Sequence, residues 1–434
     1  MNYHDLYDDS KRQSLMRKAR KFAEMNKKLV VVVILTMYVV SRLASVGSTK
    51  QESIPGLTMK ESELEVNFKT FGMDLQKRNE LPAASATLRE KLSFYFPYDP
   101  EKPVPNQIWQ TWKVDINDKS FPRHFRKFQE TWPQLNSGYT YHLIPDSIVD
   151  EFMRSLFANV PEVIAAYNML PKNILKADFF RYLVIFARGG TYSDIDTICL
   201  KPVNEWATFN EQTVISHYLK TNGKTSQLPE VDPSTRKTPI GLTIGIEADP
   251  DRPDWHEWYA RRIQFCQWTI QGKQGHPMLR ELIIRIVEQT FRKEAMGNLK
   301  KVEGKDMGGD IMQWTGPGVF TDTLFDYLNN VVSDGKLGDG YGVGSKYWNS
   351  HAKYKLSHIE VDANNEPMHS DKQTISWKSM SKLSEPLIID DVMILPITSF
   401  SPGVGQMGSH SPDHPLAFVR HMFQGSWKPD AEKM

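Results

Sequence analysis

Lys176-Ala-Asp-Phe-Phe-Arg-Tyr-Leu-Val-Ile-Phe-Ala-Arg-Gly-Gly-Thr-Tyr-Ser-Asp-Ile-Asp196 decides the fold of this chain. Leu175, Phe179, Tyr182, Leu183 and Phe186 fall at i, i+4, i+7, i+8 and i+11, the spacing of one buried stripe on an amphipathic helix. Asp178 and Arg181 lie three apart on a different face, close enough to act together. Gly189 and Gly190 stop the helix, where a positive φ at the C-cap suits glycine. The β-branched and aromatic residues that follow predict a strand over Thr191–Asp196. From such a strand Asp194 and Asp196 point the same way. Two hard oxygen ligands on one edge suit a divalent cation such as Mg²⁺ or Mn²⁺, which commonly bridges to a diphosphate. An isolated Asp-x-Asp is otherwise a solvated turn, so the surroundings must carry the reading.

Working outward, helices and strands alternate. Val104-Pro-Asn-Gln-Ile-Trp-Gln-Thr-Trp112 reads as a short strand after prolines. A helix is expected near Pro122–Thr131, a strand around Tyr139–Leu143, and helices near Asp146–Phe157 and Pro161–Tyr167. Beyond the carboxylates, strands are expected at Thr213–His217 and Ile240–Ile246. Helices follow at Trp255–Gln267 and Pro277–Thr290, then a turn at Thr315–Asp322 leading into a helix through Asn329. Residues 331–385 read as loop-rich, and one strand covers Leu387–Leu395. This alternation predicts an α/β domain with a largely parallel sheet.

At 434 residues, with 40% hydrophobic and 24% charged side chains, the chain can bury a sizeable core. A net charge of +1 leaves no footprint for a nucleic-acid partner. The charge is unevenly placed, however. Lys11, Arg12, Arg17, Lys18, Arg20, Lys21, Lys27 and Lys28 crowd a leader (1–28) ahead of the apolar run Leu29–Val40. Extended past Ser41 and Arg42 to Val46, that run approaches bilayer-spanning length, with Arg42 near its end able to snorkel. A buried core helix does not fit a run isolated between basic and polar stretches. A cleaved signal peptide does not fit so long and charged a leader. A single signal-anchor (29–46) with its basic side in the cytoplasm fits best, followed by a luminal stem (47–100) and a catalytic domain (101–434). Cys199 and Cys266 are the only cysteines, which excludes a disulfide framework and leaves open whether the two form one bridge or stay free. No Asn-x-Ser/Thr acceptor occurs.

The motif string resembles the DxD region of glycosyltransferase family 32, a Lys-Ala-Asp-x-x-Arg-Tyr helix leading through Gly-Gly to Tyr-x-Asp-x-Asp. It matches at Lys176, Ala177, Asp178, Arg181, Tyr182, Gly189, Gly190, Tyr192, Asp194 and Asp196. The resemblance covers roughly residues 100–430. The segments Gly245–Trp255 and Arg261–Ile270 resemble a fungal subfamily of type II Golgi α-1,6-mannosyltransferases. It implies a GT-A-type, Rossmann-like domain, GDP-mannose as donor, Mn²⁺ as cofactor, a high-mannose N-glycan on glycoproteins as acceptor, and an early Golgi membrane location. Residue by residue, it places Trp112 against the donor base, where the bland reading is a core tryptophan. Asp178 and Arg181 come against donor hydroxyls, where a surface ion pair is the alternative. Tyr192 comes into the donor pocket. His421, in His-x-x-x-Gly-Ser-Trp, becomes a third metal ligand beside Asp194 and Asp196, and Ser426, Trp427 and Lys428 close over the diphosphate. The Thr315-Gly-Pro-Gly turn is either structural or an approach of backbone amides to substrate. The resemblance also implies retention of configuration, by a carboxylate nucleophile or by acceptor attack from the leaving-group side with the phosphate taking the proton. No carboxylate stands out as the nucleophile.

Two other readings compete. A glycosyltransferase-like subunit of a mannan-synthesising complex would carry the same motifs. A haloacid-dehalogenase-like phosphatase would use Asp194-Ile-Asp-Thr197 together with Leu387-Ile-Ile-Asp-Asp391. Against the phosphatase, Gly-Gly-Thr-Tyr-Ser precedes the first aspartate where a buried hydrophobic strand is needed.

Overall fold

The computed structural model describes residues 86–99, 102–206, 240–302, 311–328, 377–389 and 391–424. The basic leader, the apolar run 29–46, most of the stem, the expected strand at Thr213–His217, the loop-rich stretch 331–376, and Ser426, Trp427 and Lys428 lie outside them. Among the described residues no helix is long and apolar enough to cross a membrane.

In chain order the elements that build the site are α1 (Leu88–Tyr95), β1 (Gln107–Trp112), α2 (Arg123–Leu135), β2 (Thr140–Pro145), α3 (Asp146–Leu156), α4 (Pro161–Met169), α5 (Asn173–Arg188), β3 (Gly190–Ser193) and β4 (Thr197–Cys199). Then come β5 (Leu242–Ala248), β6 (Gln264–Phe265), β7 (Thr269–Gly272), α6 (Pro277–Ala295), α7 (Ile311–Trp314), α8 (Pro317–Tyr327), β8 (Leu387–Ile389), β9 (Val392–Leu395), α9 (Ile397–Phe400) and β10 (Val419–His421). Among the described residues one sheet runs β2-β1-β3-β7-β5-β9-β8, with β6 attached to β5, and a separate ribbon pairs β4 with β10. Strands β2, β1, β3, β5 and β9 point one way, while β7 and β8 oppose them. The α/β domain expected from the sequence is therefore present, with a mixed sheet.

Side-chain alternation along the strands supplies both faces. Ile108, Met393 and Leu395 join Trp132, Cys199, Trp206, Cys266, Phe400 and Val419 in one core. Trp109 turns to the other face, where its ring stacks on His142 with centroids 4.1 Å apart. The two cysteines are both buried and both free.

Helix α5 runs under the centre of the sheet. Its predicted stripe is fully buried, but the helix is not amphipathic: from Asp178 to Ala187 every residue is buried. Each of the five stripe side chains contributes about 1.5–3 kcal/mol on burial, enough to offset the several kcal/mol that burying each ion costs. The helix ends as predicted. Gly189 takes φ 69° and Gly190 φ 102°, and a Cβ on Gly190 would meet the Gln107 carbonyl at 2.5 Å. Only glycine lets β3 start this close to β1.

Three expectations are corrected. The strand over Thr191–Asp196 stops at Ser193, because Thr197 folds back onto the Asp194 carbonyl through both its amide and its hydroxyl. The helix over Trp255–Gln267 is one short turn, Trp255–Glu257, followed by the β6 strand. Its aromatic spacing imitates a helix, but Gln264 Oε1 takes the Ala260 amide and Phe265 pairs with β5. The strand over Leu387–Leu395 is a hairpin, Ile389 facing Val392.

Candidate active site

In parallel-stranded sheets, ligands gather beyond the carboxyl ends of the strands. Trp112 ends β1 there, and Asp194-Ile-Asp196 leaves β3 at the same edge. The middle residue fixes the turn. Ile195 is buried among Phe121, Phe125 and Leu143, with Trp112 packed against the same cluster. Gln110 Nε2 holds the Asp194 carbonyl at 3.0 Å, and Tyr141 orients Gln110 from the next strand. An apolar anchor between two carboxylates thus leaves both facing outward, which the expected flat strand would have done by alternation alone.

The third group arrives from the far end of the sequence. Strand β10 pairs antiparallel with β4, setting His421 opposite Thr197. His421 Nε2 lies 3.3 Å from Asp196 Oδ1, and one ligand atom each from Asp194, Asp196 and His421 fall within 4.8 Å of one another. Metal–oxygen and metal–nitrogen bonds of about 2.1 Å around an octahedral ion separate its ligands by about 3–4.2 Å, so the cluster fits a divalent cation with little adjustment. The donor set, two carboxylate oxygens and one imidazole, suits Mn²⁺-like ions. His421 stacks on Trp268 with centroids 4.3 Å apart, which fixes the ring plane.

Neighbours orient the ligands. Tyr192, 1% exposed, donates from its hydroxyl to Asp194 Oδ1 at 2.7 Å, so its tip supports a carboxylate rather than lining open space. Asp196 receives the Gln424 amide on its carboxylate at 3.1 Å and the Met422 amide on its carbonyl at 2.9 Å. To aim both amides, Phe423 between them adopts φ 47°, a left-handed conformation costing about 1–2 kcal/mol in an L residue. Burial raises the Asp194 carboxyl, Arg181 opposes and Asp196 adds to it. Burial also pushes Asp196 upward, yet its hydrogen bond and charge attraction to His421 and the Gln424 amide leave it below the usual range.

Beneath the carboxylates lies a buried network. Asp178 and Arg181 are 1% and 3% exposed. Arg181 Nη2 is 3.2 Å from both Asp178 Oδ1 and Asp194 Oδ1, and Nη1 donates to Gln267. Gln267 Nε2 and Thr315 Oγ1 donate to the two Asp178 oxygens at 3.2 and 3.1 Å. With its oxygens taken, Asp178 holds Arg181, and Arg181 holds Asp194. Burial pushes the Asp178 carboxyl up to about 6 despite the guanidinium beside it. Thr315 thereby gains a role in the network. Gly316 and Gly318 are packed against the α7 backbone at Ile311 and Met312.

Of the residues singled out from the sequence, Trp112, Asp178, Arg181, Tyr192, Asp194, Asp196 and His421 come together at or beneath one edge. Trp109, three residues earlier on β1, lies away from this edge: it is buried, with its indole nitrogen on the Gly189 carbonyl. Gln110, Gln267 and Thr315 were missed as site residues, since glutamine and threonine carry no signal of their own until a charge is placed beside them. The acidic pair proposed for a phosphatase is split. Asp391 precedes β9 and Asp194 follows β3, so in these parallel strands they occupy opposite edges of the sheet. There Asp391 is bonded to Tyr98 and His276.

Comparison with known proteins agrees with this geometry. Residues 122–213 match the family described as the glycosyltransferase sugar-binding region containing DXD motif. The initiation-specific alpha-1,6-mannosyltransferase of Candida albicans is 46% identical over 406 residues, covering 92% of this chain and 93% of that protein. Its Saccharomyces cerevisiae namesake is 42% identical over 424 residues, covering 85% and 86%. A second Saccharomyces cerevisiae glycosyltransferase is 31% identical over 343 residues, covering 79% and 70%. The mixed sheet with its DxD turn is accordingly a GT-A-like α/β domain. With a DxD turn at the carboxyl edge of its sheet and relatives this similar across most of its length, the chain belongs to glycosyltransferase family 32.

Proposed function

We propose that the protein transfers mannose from GDP-mannose in α-1,6 linkage to a high-mannose N-glycan core, with Mn²⁺ as its cation and with retention. The observation that carries this reading is the convergence of Asp194, Asp196 and His421 beside Trp112, in a chain similar along most of its length to initiation-specific enzymes. Identity to the initiation-specific enzyme of Saccharomyces cerevisiae exceeds identity to that yeast's second glycosyltransferase, 42% against 31%, which favours the initiation-specific reading.

When bound, a divalent cation supplies charge stabilisation to a diphosphate leaving group. The protein's own residues prepare its place. Asp178 and Asp194 share the one Arg181 guanidinium, and Asp196 lies beside His421, so as carboxylates they leave an excess of negative charge for a divalent ion to balance. Tyr192 and Arg181 hold Asp194, and the Met422 and Gln424 amides hold Asp196, so little reorganisation accompanies binding. Trp112, half-buried at the end of β1, offers a ring for a base to stack on. Ser426, Trp427 and Lys428 follow directly on this tail, and we assign them to the diphosphate. The basic leader and the run 29–46 form a signal-anchor in this reading, placing the catalytic domain in the Golgi lumen.

The test incubates purified protein with GDP-mannose, Mn²⁺ and a high-mannose core glycan and determines the product linkage. One added α-1,6-mannose is the expected result. A product of another linkage, or GDP release no faster than that of an Asp196→Asn control, would sink the proposal.

A further inference from the structure

The carboxyl end of β5 carries a side chain the sequence reading passed over. Gly190 of β3 and Leu242 of β5 both face Gly272 of β7, and β3 and β5 run parallel. Counted on from that shared rung, Ser193 at the end of β3 comes level with Gly245, and Glu247 follows two residues on, at the edge where the DxD turn leaves β3. The two strands stand two spacings apart, about 10 Å, with β7 between them, so Glu247 and the DxD turn lie across β7 from one another at the same edge of the sheet.

The local backbone is built to aim this residue. Ile246 faces Phe265 and Ala248 faces Gln264, so Glu247 is the extra residue of a β-bulge. A bulge turns one side chain out of the strand's alternation, and such devices gather beside active sites. Gln264 fixes the result: its Nε2 donates to Glu247 Oε2 at 3.0 Å, while its own Oε1 is held by the Ala260 amide at 3.0 Å. Gln264 is buried and Glu247 partly exposed. The second carboxylate oxygen has no hydrogen-bond partner among the described residues. His421 and Arg181 both lie close enough to act on the Glu247 charge.

We propose that Glu247 binds the acceptor, taking a hydrogen bond from an acceptor hydroxyl on its free oxygen and so orienting the attacking sugar; this rests on the transferase reading above. Trp112 and the metal ligands mark the base and diphosphate along β1 and β3. Crossing the sheet to β5 leads past the transferred sugar to the acceptor. A carboxylate there, on a different strand from Asp194, Asp196 and His421, is a strong acceptor of sugar O–H groups.

The experiment compares wild type, Glu247→Gln and Glu247→Ala in three assays: mannose transfer from GDP-mannose to a high-mannose glycan, GDP release without acceptor, and direct glycan binding. In Glu247→Gln the amide oxygen can still accept from Gln264, but the outward group becomes a donor. We expect acceptor kcat/KM to fall about 30-fold, the loss of one hydrogen bond to a charged group. Acceptor-free GDP release, donor KM and melting temperature should stay near wild type, and glycan binding should weaken in parallel. Unchanged acceptor dependence, or an equal loss of transfer and acceptor-free release, would overturn the assignment. So would a β-mannosyl azide trapped from Glu247→Ala, since that product marks a nucleophile. A wild type that neither transfers nor releases GDP would defeat the transferase reading instead, and glycan binding to wild type and Glu247→Gln would still decide the role of Glu247.

Discussion

Replacing Arg181 by alanine should produce a stability loss that depends on pH in a stated direction. The guanidinium contacts Asp178 and Asp194 at 3.2 Å each and bonds to Gln267, at 3% exposure. Removing one partner of a buried ion pair costs about 3–5 kcal/mol, because the other charge stays buried. Burial already lifts Asp178 to about 6 with Arg181 present, so without it the carboxyl rises further. A raised folded-state pKa means stability is present at low pH and is lost as pH climbs through that value. Wild-type stability stops falling above about pH 6, while that of the variant goes on falling up to its own higher value, so its deficit grows between about pH 6 and 8. Each unit of separation between the two Asp178 values adds about 1.4 kcal/mol. Denaturant midpoints of wild type and variant at pH 6, 7 and 8, followed by tryptophan fluorescence, measure it. A deficit under about 1 kcal/mol, or one constant across that range, would refute the buried-charge account of this network.

Three further outcomes follow from the same geometry. Asp196→Asn should lower transfer by at least about 100-fold, the scale on which losing an electrostatic stabiliser acts, while the melting temperature stays within a few degrees; near-normal turnover would remove Asp196 from the site. His421→Ala should raise the Mn²⁺ concentration for half-maximal activity by more than about 10-fold, since one of the ligands is lost. An unchanged metal titration would make His421 a packing residue against Trp268. Tyr192→Phe removes only the hydroxyl on Asp194 and should weaken metal binding by about 10-fold with donor KM at saturating metal preserved; a loss confined to donor KM would put Tyr192 in the donor pocket instead.

How much of this was legible in the sequence follows the range over which each signal acts. The stripe of α5 and the Gly189-Gly190 stop were readable because each is decided within a few residues. Burial of the opposite face was not, since Asp178 and Arg181 look solvent-bound until Gln267 and Thr315 are folded onto them. The helix expected over Trp255–Gln267 failed for a related reason. Its aromatic spacing satisfies a helical period, but the contacts that decide it are long-range: Phe265 pairs with β5, Arg261 reaches Asp322, and Arg262 reaches Asp249. Periodicity cannot weigh such partners.

The candidate site divides along the same line. Asp194 and Asp196 announce themselves by their two-residue spacing, although the device presenting them is a turn pinned by Ile195 and not a continued strand. His421 has no local signal that separates it from His410 or His414, and the family resemblance alone singled it out. Its physical cause is the β4–β10 pairing, which sets residues 197 and 421 opposite one another. Glu247 was invisible for a third reason. A glutamate between Ile246 and Ala248 reads as the polar member of an alternating strand, and nothing in that pattern reveals the one-residue slip in the register against β6 or the Gln264 contact that holds it. Where a side chain is positioned by an irregularity in pairing, the sequence holds the residue but not the slip, so such positions must be sought in the hydrogen-bond register of the strands that end at the active edge.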